Sequence, residues 1–101
     1  MGTDMYAAIV RLELIELTSV DEHGHPGRGL ANLLSSQPGF LTFVAIDTNE
    51  RETTAVYIFE DRRSLDAAND HFTQWRAAHV DEWECRVTSV SAGQIVAQKG
   101  L

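Results

Sequence analysis

Apolar residues recur along this chain in two periods, two and three-to-four, and the switches between them mark the elements. From Tyr6 to Leu17 the residues alternate, with Ala8, Val10, Leu12 and Leu14 on one face and Ile9, Arg11, Glu13 and Ile15 on the other, which predicts a first strand. From Thr18 to Gly29 the chain turns polar and glycine-rich, predicting a loop centred on Asp21-Glu22-His23-Gly24-His25-Pro26-Gly27. Pro26 suits the first turn of a helix, where a backbone N–H has no intrahelical partner, and Leu30, Leu33 and Leu34 give the stripe of a short helix. Gln37-Pro38-Gly39 ends it, because proline forces its predecessor out of the helical region and glycine accepts a turn. Phe40 to Asp47 and Thr53 to Glu60 then predict a hairpin joined by Thr48-Asn49-Glu50-Arg51-Glu52. Asp61 is placed to cap a second helix that carries Leu65, Ala68, Phe72 and Trp75 along one side and ends near Val80. A last strand is expected from about Glu84 to about Gln98, with a bulge at Gly93.

Strand, helix, strand, strand, helix, strand is the order of an α+β, ferredoxin-like domain: a four-stranded antiparallel sheet with both helices on one face. At 101 residues the chain has room for one such domain, spanning 1–101. The hairpin is apolar on both sides. Phe40, Thr42, Val44 and Ile46 alternate with Leu41, Phe43 and Ala45, and Thr54, Val56 and Ile58 alternate with Ala55, Tyr57 and Phe59. Two helices cover one face of a sheet, so the other needs a partner, and a second copy of the chain is the simplest one.

A net charge of -7 and a pI near 4.9 oppose nucleic acid and anionic membrane surfaces as partners. No apolar run approaches the roughly 20 residues that span a bilayer. The first residues match neither a leader peptide nor the myristoylation pattern, since Tyr6 stands where the latter needs serine or threonine. Cys85 is the single cysteine and forms no internal disulfide, which fits a reducing cytoplasm.

Gln37-Pro38-Gly39-Phe40 leading into an apolar strand, a second strand closing on Tyr57-Ile58-Phe59-Glu60-Asp61, Ser64-Leu65-Asp66-Ala67-Ala68 opening the next helix, and the His71-Phe72 pair together resemble the antibiotic biosynthesis monooxygenase-like branch of the dimeric α/β barrels. The resemblance covers roughly Tyr6 to Ala97. It departs from the family in a shorter first helix, preceded by the Asp21–Gly29 loop, and in having Ala68 or Asn69 where relatives often carry a histidine. The resemblance implies a homodimer whose two sheets face each other, a pocket between each sheet and its helices, and oxidation of phenolic or quinol substrates by O₂ without a cofactor. Other members degrade haem or isomerise small ring compounds.

His71, Trp75 and His79 recur every four residues along the second helix. One reading makes His71 and His79 bases that take a proton from a small aromatic substrate, with Trp75 and Phe72 as apolar walls and Asn69 orienting a substrate carbonyl. The other makes Phe72 and Trp75 core residues and leaves the histidines and Asn69 hydrogen-bonded at the surface. Eight residues of helix put His71 and His79 about 12 Å apart, too far to share a metal. Asp21, Glu22, His23 and His25 are either a cation site or, the simpler reading, a solvated loop. Tyr57, Arg11, Glu13 and Arg86 are polar positions within apolar strands, either binding an anionic substrate or forming cross-strand pairs. Three functions follow: a cofactor-independent monooxygenase, a non-catalytic homodimer binding a small metabolite, and a haem-degrading enzyme. The last rests on Trp75 and a nearby histidine, while Tyr6-Ala7-Ala8 stands where haem-degrading relatives supply an asparagine.

Overall fold

A computed structural model of the chain describes residues 4–14, 26–79 and 85–100. Within them run β1 (Tyr6–Leu14), α1 (Pro26–Ser35), β2 (Phe40–Asn49), β3 (Glu52–Phe59), α2 (Arg62–Ala78) and β4 (Cys85–Gln94). The strands form one antiparallel sheet in the order β2-β3-β1-β4, the ferredoxin-like arrangement the hydrophobic pattern predicts. The expected extension of the first strand to Leu17, the centre of the Thr18–Gly29 loop with its four candidate cation ligands, the helix end at Val80 and the strand start at Glu84 lie outside the described residues.

Alternation in β1 and β3 settles which side faces the helices. Ala8, Val10 and Leu12 from β1 and Ala55, Tyr57 and Phe59 from β3 are fully buried against Leu30 and Leu34 of α1 and Leu65, Ala68 and Phe72 of α2. Asp61 caps α2 as its sequence position predicts. Its backbone is extended and its carboxylate accepts the Ser64 N–H at 2.8 Å, which also holds the carboxyl below its ordinary pKa. Gly39 takes φ +82°, the left-handed region that glycine enters freely, and its carbonyl accepts the Glu60 N–H at 2.8 Å.

Three details differ from simple alternation. Phe40 pairs with Phe59 and Thr42 with Ile58, so Leu41 is an extra residue in β2 and Phe40 turns to the helix side along with Phe43. The bulge in β4 falls at Thr88, between the Arg11–Ser89 and Leu12–Val87 pairs, while Gly93 pairs regularly with Ala7, and the strand stops at Gln94. The hairpin turn is shorter than its polar composition suggests. Asn49 pairs with Glu52 across a two-residue turn, where Asn49 Oδ1 accepts the Arg51 N–H at 2.9 Å and the Thr48 hydroxyl donates to the Glu52 carboxylate at 2.9 Å.

The face turned away from the helices keeps an apolar patch. Ile9 is 46% exposed, Val44 50% and Ile46 51%, with the half-buried Val56 and Ile58 beside them in β3. No helix among the described residues is long and apolar enough to cross a membrane.

Candidate active site

Tyr57 stands in the middle of β3 and points up under α2. Its ring stacks on Phe43 at 6.3 Å and meets the edge of Phe59 at 6.3 Å, so packing leaves the side chain one direction. In that direction its hydroxyl donates to Oδ1 of Asn69 at 2.5 Å. A buried phenol without a partner would cost roughly 1–3 kcal/mol, so this bond is a requirement of the fold as well as a feature of the site. It also settles the amide: with Oδ1 on the tyrosine, the NH₂ group of the half-buried Asn69 is turned away, as a donor for something else. Burial pushes the Tyr57 pKa up to about 12, with the Arg76 guanidinium pulling the other way, and the phenol is a neutral donor near pH 7.

Arg76 lies two turns after Asn69 on the same flank of α2. Its side chain runs back along the helix so that Cζ sits 5.2 Å from the centre of the Phe72 ring. It is half-buried, and no carboxylate pairs with it among the described residues. Hydrophobic periodicity alone does not single out Arg76. The signal was its spacing, four residues from Phe72 and seven from Asn69, which places all three along one side of a helix.

The histidines sit elsewhere. His79 stacks on Trp75 with ring centres 4.6 Å apart, and its Nδ1 is 2.8 Å from the Trp75 carbonyl. A carbonyl only accepts, so Nδ1 carries the proton and Nε2 is left as the basic nitrogen of the neutral ring. His71 is exposed. Two residues from Asn69, it projects about 200° around the helix axis from it, on the other side of the buried stripe of Leu65, Ala68 and Phe72. Phe72 itself is core. The structure thus brings Tyr57 to Asn69 and Trp75 to His79, and it places His71 apart from the amide.

The strand arginines fall on the opposite face. Arg86 faces Glu13 across β1 and β4 and forms an ion pair with it, the cross-strand arrangement its sequence position allowed. Arg11 is exposed on the same outer face. Tyr57 therefore shares no site with Arg11 or Arg86. Cys85 is buried at the start of β4. Among the described residues no three His, Cys, Asp or Glu side chains gather as metal ligands. A small groove of about 170 Å³ lies between the α1–β2 turn and the start of α2, lined by Gln37, Pro38, Arg63, Ser64, Ala67 and Ala68. Its α2 residues lie on the flank of the helix turned away from Asn69 and Arg76.

No family model matches the chain, and no curated protein matches it either. Solved structures do. SnoaB, a cofactor-independent oxygenase from Streptomyces nogalater, aligns over 97% of each chain with a TM-score of 0.60 at 15% identity. A Nitrosomonas europaea protein provisionally named an antibiotic biosynthesis monooxygenase aligns over 94% of this chain and 91% of its own, with a TM-score of 0.62 at 16% identity. HapK from Hahella chejuensis aligns over 95% of this chain and 98% of its own, with a TM-score of 0.71 at 15% identity. The chain has the fold of the antibiotic biosynthesis monooxygenase-like proteins. At these identities the likeness is one of fold, and it extends over nearly the whole of this chain and of each of these neighbours. Within this fold, the pair formed by Tyr57 and Asn69 stands between the central strand β3 and the second helix.

Proposed function

We propose that the chain is a homodimeric, cofactor-independent oxygenase acting on a small aromatic, quinol or polyketide-like compound. The observation that carries this reading is the Tyr57–Asn69 hydrogen bond, which pins an amide so that its N–H groups are presented from a half-buried position. A preorganised amide donor stabilises charge that develops on a substrate oxygen. When the C–H proton of an anthrone-like substrate or the O–H proton of a quinol is lost to solvent, the electron pair left behind makes an enolate or phenolate whose oxygen accepts from Asn69. That anion passes one electron to O₂, and the radical and superoxide join as a peroxide anion, which takes a proton from solvent to become the hydroperoxide. Loss of water then leaves a new carbonyl, so one oxygen atom enters the product and the other leaves as water. His71 has no part in this scheme, being exposed on the other flank of α2. His79, with Nε2 as its basic nitrogen, forms a second aromatic wall with Trp75. The fold shared with SnoaB supports the reaction class.

The apolar outer face of the sheet supports a second copy of the chain as the partner. Ile9, Val44 and Ile46 are each about half exposed there, and an identical patch is a self-complementary partner. The test of the activity is oxygen uptake with a panel of anthrones, quinols and catechols. Asn69→Ala is expected to lower kcat by roughly 10² while His71→Ala stays near the parent. No uptake with any compound, or equal rates for the parent and Asn69→Ala, rejects the oxygenase reading. A second reading, a non-catalytic metabolite-binding homodimer, is favoured by the distance of both histidines from Asn69. It predicts a ligand that raises Tm without being converted.

A further inference from the structure

We propose that Arg76 is a specificity-determining residue of this site and that the ligand is an aromatic compound carrying an ionised carboxylate. The inference rests on the reading just given and uses the same flank of α2, but it stands on a different group. Arg76 is a half-buried guanidinium held over the Phe72 ring at 5.2 Å, and among the described residues no carboxylate neutralises it. Arg62 pairs with Asp66 at 3.6 Å and Arg86 with Glu13, and Arg11, Arg28, Arg51, Arg63 and Lys99 are exposed, so Arg76 stands apart among the described cations by its half-burial. Asp70, the acidic residue next to Asn69 on α2, is exposed and projects about 120° around the helix axis from Arg76. A guanidinium on an aromatic ring retains its planar fork of donors at the rim, which suits a carboxylate bound through two parallel hydrogen bonds.

The spacing defines the ligand further. Because the Arg76 side chain covers the turn before its own Cα, the guanidinium lies over Phe72, about one 5.4 Å turn from the level of Asn69. The site therefore offers two kinds of donor on one flank of α2: a neutral amide, and a cation one turn further on. A ligand that satisfies both has a carbonyl, enol or phenol oxygen for Asn69 and a carboxylate a ring's width away for Arg76. A net charge of -7 gives the chain no general attraction for anions, so selection for a carboxylate must come from a local cation.

Isothermal titration of the full chain with anthraquinone-2-carboxylate and with its methyl ester at pH 7 tests this. The parent is expected to bind the acid at least about tenfold more tightly than the ester. Arg76→Gln should lose that preference, weakening the acid at least about tenfold more than the ester, and Arg76→Lys, which keeps the charge without the fork, should fall between. Asn69→Ala should weaken acid and ester alike. Equal binding of acid and ester by the parent, a preference that survives Arg76→Gln, or no binding of either compound at millimolar concentration overturns the proposal. Oxygen uptake on an uncharged anthrone separates the two readings. Turnover of the anthrone without any acid preference keeps the oxygenase and removes the carboxylate site. An Arg76-dependent acid preference without oxygen uptake on any compound does the reverse.

Discussion

The Tyr57 hydroxyl donates to Asn69 Oδ1 at 2.5 Å across the interface between the sheet and the second helix, twelve residues away in the chain. The bond is structural and chemical at once, since it satisfies a buried phenol and orients the amide. Tyr57→Phe keeps the ring between Phe43 and Phe59 and removes only the donor. Stability is expected to fall by about 1 kcal/mol in urea denaturation. Turnover should fall further than substrate affinity, because an amide free to rotate loses its orientation without leaving the pocket. In a double-mutant cycle, Tyr57→Phe should add little to Asn69→Ala. Additive losses in turnover would show that Tyr57 acts independently of the amide.

The same phenol makes a prediction about alkaline pH. Its folded pKa, raised from 10.0 to about 12 mainly by burial, lies above that of the unfolded chain. The neutral form is the one the fold favours, so this contribution to stability is fully present below pH 10.0 and is lost as pH rises toward about 12. Thermal melts between these limits should show the parent losing Tm more steeply than Tyr57→Phe. The difference in tyrosinate absorbance between the two proteins should titrate near the upper limit. Parallel pH profiles would remove the assignment.

Much of this architecture is readable from the hydrophobic periods because the pattern and the packing agree. The stripe of Leu65, Ala68 and Phe72 is buried as spaced, Asp61 caps the helix it precedes, and Ala8, Val10 and Leu12 form one face of β1. The bulges are not readable this way, since alternation assumes one partner per residue. Leu41 has none in the β2–β3 register, which carries Phe40 to the helix side, and in β4 the extra residue is Thr88 rather than the expected Gly93. The site was half legible. Asn69 and Tyr57 stand out as polar groups among apolar ones, but their contact joins a strand to a helix and no local spacing encodes it. Arg76 hides because a cation in the last turn of a helix has an ordinary explanation in the helix dipole.

Gly39 joins the helix-to-strand turn to the start of α2. A Cβ built there would lie 2.5 Å from Ser64 Oγ and 2.6 Å from Ser64 Cβ, and the positive φ is costly for any residue with a side chain. Gly39→Ala is therefore expected to destabilise by about 2 kcal/mol or more, from backbone strain and from displacement of the residue whose N–H Asp61 caps. The variant should show a lower urea midpoint. A midpoint equal to that of the parent would mean that the turn and α2 separate freely.

The outer face of the sheet supplies the last prediction. Val44 pairs with Val56 and Ile46 with Thr54, and Ile9 lies beside Val56 in β1, so these side chains form a continuous patch across three strands. Charge is scarce in it, with Arg11 in β1 the nearest cation and the Glu13–Arg86 pair at the far edge. In a two-fold interface each substitution appears twice, and an aspartate at Ile46 would bury two carboxylates without partners. Ile46→Asp is expected to convert a dimer at micromolar concentration into a monomer in sedimentation equilibrium. Its circular dichroism should be unchanged, since Ile46 is half exposed in the single chain and contributes little to the core. Tyr57 and Asn69 belong to one subunit, so the folded monomer should retain ligand binding at this pair. A parent protein that sediments as a monomer at these concentrations would remove the sheet-to-sheet dimer outright.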